Sequence, residues 1–261
     1  MGSDRYLAAE MQFATIAAQR VSRVTKNVHP SVRLNPANSS HVLRSYYNAM
    51  LAHLGPRHWW PAKTRFEVIV GAILTQNTAW SNAKRALDNL RRERLLAPAA
   101  MASIPTTRLA RLIRPSGYFR QKARKLKAFV VFLRREYRGS LNRMFRTRAS
   151  ELREKLLNVH GVGPETADSI LLYAGDRPVF VVDAYTRRIC ERHELIHAHA
   201  SYMDIQDFFE RSLPPDASLY NEFHALIVSV GKEWCRSKAP RCSECPLRPF
   251  LPEGPRERLD E

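Results

Sequence analysis

Residues 156–174 read LLNVHGVGPETADSILLYA, two helical patterns joined by the turn His160-Gly161-Val162-Gly163-Pro164. That turn is far tighter than an ordinary linker, so the two helices must fold back on each other as a hairpin. The glycines permit backbone with positive φ. Pro164 suits the first position of the second helix, and Glu165 and Thr166 fall in its first turn, where the helix dipole favours a carboxylate. The N–H groups of such a turn can converge on one anion. A DNA phosphate fits this role, because it is gripped without any reading of base sequence. The bland alternative is a helical hairpin that binds nothing.

Twenty positions after Gly163, beyond the short extended run PVFVV (178–182), stands Asp183, directly before the helical segment AYTRRICERH. Capping that helix is the ordinary use of an aspartate there. The helix dipole and the backbone donors also favour negative charge at the site, and a fixed anion can face a developing sugar cation. One residue can serve both ends.

Around this block the chain is helical almost throughout. Apolar residues recur at helical spacing from His41 onward, in VLRSYYNAMLAHL, FEVIVGAILTQNT, SNAKRALDNLRRE, QKARKLKAFVVFLRREY, MDIQDFFERSL and LYNEFHALIVSVGKEW among others. Only PVFVVD reads as extended, too little for a sheet, so the expected class is all-α with roughly ten short helices. Residues 1 to 38 mix polar, basic and turn-forming types and are expected to form a basic polar extension. With 42 Lys+Arg against 25 Asp+Glu the formal charge is +17, which points to an anionic partner, nucleic acid ahead of a membrane surface. No apolar run reaches the roughly 20 residues needed to span a bilayer, and no secretory signal is read at the start. Three cysteines crowd into positions 235–245 and Cys190 stands alone, a pattern that fits a reducing, cytoplasmic setting better than a disulfide framework.

The block LNVHGVGPETADSILLYAGDRPVFVVDAYTRRICER (157–192) resembles the hairpin-to-aspartate region of endonuclease III and the helix-hairpin-helix DNA glycosylases, and the resemblance spans roughly residues 40 to 250. It implies a two-lobed helical fold. A six-helix lobe over 61–177 ends in the hairpin, and 39–60 with 178–250 form the second lobe with a cysteine loop, followed by a tail at 251–261. It also implies that Gly161, Val162 and Gly163 grip a phosphate and that Asp183 is catalytic. Endonuclease III carries a nucleophilic lysine in the hairpin helix, whereas the matching residue here is Glu165. A carboxylate cannot form the Schiff base that β-elimination needs, so the resemblance is to the monofunctional branch, in which water attacks.

GPRHWWPAKTRFEVIVGAILTQNTAW (55–80) places Trp59, Trp60 and Pro61 before one helix and Trp80 after it. Packing at a helix junction is the commoner fate of tryptophan. Beside the hairpin, however, this arrangement looks like the stacking pocket of the 3-methyladenine glycosylases. Alkylated purines carry positive charge, so indole faces add a cation–π attraction. In the same family a lysine lies beside the pocket, matching Lys232. In the endonuclease III pattern the glutamine of the LTQNT motif and a residue in the loop of RPSGYFRQKAR fill the space of a flipped base, and the resemblance implies that role for Gln76 and Tyr118.

Cys235, Cys242 and Cys245 reproduce the spacing of the first three ligands of the endonuclease III iron–sulfur loop, but the fourth position holds Leu251. A [4Fe–4S] cluster ordinarily takes four thiolates. A cluster with another ligand, a zinc site or three reduced cysteines in a remnant loop all stay open, and no cofactor is required for the chemistry.

The function implied is removal of a flipped-out alkylated purine from double-stranded DNA by a monomer. The alternatives are a uracil or thymine mismatch glycosylase, a bifunctional endonuclease III-like glycosylase and lyase, and a non-catalytic DNA-binding module.

Overall fold

The computed structural model describes residues 36–57, 59 and 62–252. The expected N-terminal extension lies outside the described residues apart from 36–38, as does the tail beyond 252. The first helix, α1 (Pro36–Leu54), begins five residues ahead of the apolar periodicity read from His41. A proline has no N–H to satisfy and a φ already set for a helix, so it opens the first turn readily.

α2 (Arg65–Leu74) is capped by Thr64, whose Oγ1 accepts from Glu67 N at 3.1 Å, and every residue from Phe66 to Leu74 is buried. A helix that is apolar on all sides belongs at the centre of a lobe. Around it stand α3 (Trp80–Arg92), α4 (Pro98–Ser103), α5 (Thr106–Leu112), α6 (Phe119–Tyr137), α7 (Leu141–Met144), α8 (Ala149–Leu157) and α9 (Pro164–Ser169). α9 runs on as a wider π-helical turn, Ile170–Ala174. These elements share one hydrophobic core.

A second core gathers α1 with α10 (Ala184–Arg192), α11 (Tyr202–Ser212) and α12 (Ala217–Glu233). The extended run at 178–182 passes through its middle. Phe180 stacks face to face on Phe209 with ring centroids 4.0 Å apart, while Tyr220 and Phe223 meet it edge-on. Among the described residues no neighbouring strand serves its backbone. Instead Phe180 N donates to Glu210 Oε1 at 2.8 Å, and Gln206 Nε2 donates to Phe180 O at 2.7 Å. Side chains of α11 thus replace a sheet ladder, as buried backbone requires.

Between the lobes lies a fully buried carboxylate. Asp168 of α9 receives Arg153 of α8 through Nε at 2.7 Å and Nη2 at 3.0 Å. From the other lobe, Tyr202 Oη and Gln206 Nε2, both on α11, donate to its Oδ2 at 2.8 Å. The fold is all-α and two-lobed, with the cleft between the lobes floored by the hairpin and by the start of α10.

Candidate active site

Asp183 caps α10. Its Oδ1 accepts from Thr186 N at 2.8 Å and Thr186 Oγ1 at 3.0 Å, while Oδ2 lies 3.6 Å from His224 Nε2. Capping therefore engages one oxygen only. His224, buried on α12, meets Tyr173 Oη through Nδ1 at 2.5 Å. Burial lowers its pKa, against the opposing pull of the Asp183 charge. That shift favours the neutral imidazole, and a Tyr173 hydroxyl donating to Nδ1 puts the ring proton on Nε2, which makes no hydrogen bond among the described residues, a tautomer assigned from the contacts. Neither His224 nor Tyr173 was foreseen from sequence.

In the hairpin Gly161 takes φ +81°, and a Cβ there would lie 2.4 Å from the Lys125 side chain. Val162 buries its side chain and donates its N–H to Val159 O at 3.0 Å, so it braces the turn from within. Gln76 is tied to the same turn, its Nε2 donating to Gly161 O at 3.0 Å and to Thr166 Oγ1 at 2.8 Å, while Lys125 Nζ donates to Gln76 Oε1 at 2.5 Å. A wedge role would require this residue to exchange those bonds for DNA. Tyr118 presents the opposite picture: it is 67% exposed at the tip of a loop, in the left-handed region at φ +44°, directly after Gly117.

A buried lysine links the two loops. Lys122 Nζ donates to Leu74 O at 2.9 Å and to Ser116 O at 2.6 Å, one carbonyl leading into LTQNT and the other into the Tyr118 loop. Burial first, and the neighbouring Lys125 charge second, push its pKa down to about 8. In a basic helix it reads from sequence as one more surface charge.

A cavity of about 480 Å³ opens beside Asp183, and Trp59, Trp80, Glu165, Tyr173, His224 and Lys232 are among its walls. The Trp59 and Trp80 rings stand 6.4 Å apart at 40°, and Lys232 Nζ lies 5.5 Å from the Trp59 centroid. Burial lowers the Lys232 pKa although the Asp183 charge opposes it. Trp60 and Pro61 lie outside the described residues. A larger groove of about 1200 Å³ carries the hairpin residues Gly161, Val162 and Gly163 with Gln76, Lys125, Arg188 and Arg236. Seven residues line both spaces and form the neck between them: Thr75, Thr78 and Thr166 with Glu165, Asp183, Tyr185 and Lys232.

The cysteine loop packs against α10, where Arg188 Nε donates to Cys235 O at 2.7 Å and Arg192 Nη2 donates to Ser237 O at 3.0 Å. Cys235, Cys242 and Cys245 are free thiols around a cavity of only about 20 Å³, walled by Val230, Trp234, Leu247 and Leu251. Burial pushes the Cys245 thiol up to about 11. Among the described residues no three His, Cys, Asp or Glu side chains stand together as a metal site. The donors present, with leucine at the fourth corner, do not fit a four-thiolate cluster.

The family model described as "HhH-GPD superfamily base excision DNA repair protein" matches residues 70–215. MJ1434 of Methanocaldococcus jannaschii, whose name marks it as a candidate DNA repair glycosylase, is 46% identical over 215 residues, 82% of this chain and 97% of its own. Endonuclease III of Thermotoga maritima is 28% identical over 70% of this chain and 80% of its own. Among solved structures, the H. pylori 3-methyladenine DNA glycosylase MagIII bound to 1,N6-ethenoadenine superposes with a TM-score of 0.64 at 29% identity, covering 75% of this chain and 97% of that one. A trapped covalent complex of endonuclease III with DNA gives 0.70 at 20% identity, covering 82% and 96%, a likeness of fold. No helix among the described residues is long and apolar enough to cross a membrane. The chain belongs to the HhH-GPD superfamily of base excision DNA repair proteins and is a DNA repair glycosylase related to endonuclease III.

Proposed function

We propose that this chain is a monofunctional N-glycosylase that removes a flipped-out alkylated purine of the 3-methyladenine type from double-stranded DNA. The observation that carries the reading is the neck: Asp183 stands where the basic groove opens into a cavity walled by Trp59 and Trp80. A flipped nucleotide keeps its phosphates in the groove and its base in the cavity, so its glycosidic bond must cross beside Asp183.

Indole faces attract an electron-poor, cationic base, and alkylation has already weakened the bond to be broken. The Asp183 carboxylate then opposes the charge that develops at C1′, and water completes the displacement. Its Oδ1 is fixed by Thr186 and His224 Nε2 stands 3.6 Å from its Oδ2, so the carboxylate is held in place before that charge develops. Glu165 at the neck offers no amine for an imine with the sugar. The relation to the H. pylori enzyme supports the alkylated-base side of the family.

Base release from duplexes bearing 3-methyladenine, 7-methylguanine, uracil or a G·T mismatch tests the substrate. Release of the two methylated purines is expected, at rates at least about a hundredfold above the pyrimidines, the scale on which a shaped pocket discriminates. Preferential release of uracil or mismatched thymine would replace this reading with the mismatch-glycosylase one. Binding without release of any base would leave a DNA-binding module.

A further inference from the structure

Asp183 does not stand alone at the neck. Glu165, in the first turn of α9, lines both the groove and the base cavity, as Asp183 does, so two carboxyl groups stand at the passage between them. The Glu165 side chain has no hydrogen bond or ion pair among the described residues, although cationic groups stand around the cleft. Those groups are engaged elsewhere. Lys125 of α6 is bound to Gln76, and Arg188 of α10 donates to Cys235 O and Gly231 O. Arg236 donates to Glu233 O, and Lys232 of α12 lies over Trp59. The phenols of Tyr173 and Tyr202 are committed to His224 and Asp168, and Tyr185 stacks under Arg188.

We infer that Glu165 is the proton donor to the departing base, and that the same pocket therefore also releases neutral purine lesions. The inference rests on the glycosylase reading above. A purine alkylated at N3 or N7, as in 3-methyladenine and 7-methylguanine, is already cationic in the nucleotide and leaves as a neutral molecule. A neutral purine leaves as an anion unless a ring nitrogen is protonated as the bond breaks. In the step assigned here, the Glu165 carboxyl gives its proton to a ring nitrogen of the base while the electron pair of the C1′–N bond goes to the base. Asp183 faces the resulting sugar cation. Water adds to C1′, and the proton it loses returns to the Glu165 carboxylate, so the products are the free base and an abasic sugar.

The acid form is available at neutral pH. Desolvation at the wall of the cleft first, and the Asp183 charge second, push the Glu165 pKa up to about 7, although the residue stays exposed at the cleft. The proton-bearing form prevails below that pH and is lost above it.

Single-turnover release from duplexes carrying 1,N6-ethenoadenine or hypoxanthine, set against 7-methylguanine, tests the assignment. The wild-type protein is expected to release all three, with neutral-base release falling about tenfold per pH unit above pH ~7 and no such limb for the methylated base. Glu165→Gln is expected to slow neutral-base release by about 10² to 10⁴-fold and methylated-base release by no more than about tenfold. Equal loss on both substrates, or no pH limb, would overturn the proton-donor role. So would a wild-type protein that releases 7-methylguanine and no neutral base, an outcome that leaves the alkylpurine reading standing. Release of neither class overturns both.

Discussion

Asp183→Asn lowers the rate of base release by about 10³-fold or more, the upper end of what one preorganised electrostatic contact contributes. The substitution is well chosen because asparagine is as good an N-cap as aspartate. Its carbonyl oxygen can still accept from Thr186 N and Oγ1, so α10 keeps its start. What disappears is the negative charge at the neck. Duplex affinity is expected to stay within about a factor of ten, since the charge acts on a cation that exists only as the bond breaks. Asp183→Ala would add the loss of the cap, about 1 kcal/mol of stability, to the same catalytic defect. Measured single-turnover rates and binding isotherms separate these effects. An Asn variant as active as the parent would remove Asp183 from the mechanism.

The second large effect falls on stability. Asp168→Ala removes the acceptor shared by Arg153, Tyr202 and Gln206, leaving a guanidinium and two buried donors without their partner. Breaking a buried pair from one side costs about 3–5 kcal/mol. The Arg153 side chain is 20% exposed and recovers some hydration, which places the expected loss near 3 kcal/mol. For a chain of this size that lowers Tm by roughly 10 °C. Because the carboxylate ties α8 and α9 to α11, the two lobes are expected to lose cooperativity together. Calorimetry showing less than about 1 kcal/mol of change would mean that the lobes are held by apolar packing alone.

The hairpin and Asp183 were legible because their signals are local in sequence. Two glycines, a proline and an aspartate before a helix each report a backbone requirement within a few residues. Trp59 and Trp80 were legible through a motif, and the cavity they wall explains why they flank α2 rather than lie within it. The partners that act at a distance were not legible. His224 is 51 positions from Tyr173, and inside the apolar pattern of LYNEFHALIVSVGKEW nothing separates it from an ordinary core residue. Asp168 and Lys122 sit in segments that read as amphipathic helix, where an ionisable residue is by default placed in water. Both are buried, and each is stabilised by acceptors or donors contributed from other elements. Lys232 is the reverse case. Only the family match singles it out among the many basic residues of the sequence, and the structure sets it over Trp59 at the neck. Gln76 shows how a motif position can carry more than one task, since its amide binds the hairpin that lies across the groove. The spacing of Cys235, Cys242 and Cys245 is a signal whose fourth position holds Leu251, which with Leu247 lines the small cavity beside the three thiols.

The most direct test of the account follows one duplex with a single 7-methylguanine through a single turnover, measuring free base, strand breaks before and after alkali, and covalent adducts trapped by borohydride. The account predicts that free base and alkali-labile sites appear together at one rate. It predicts intact strands before alkali and no trapped protein–DNA adduct, because Glu165 stands at the neck without an amine to form an imine. Strand breaks before alkali, or an adduct trapped by borohydride, would contradict it. Loss of that adduct in Lys232→Ala would identify Lys232 as the nucleophile and the enzyme as a lyase.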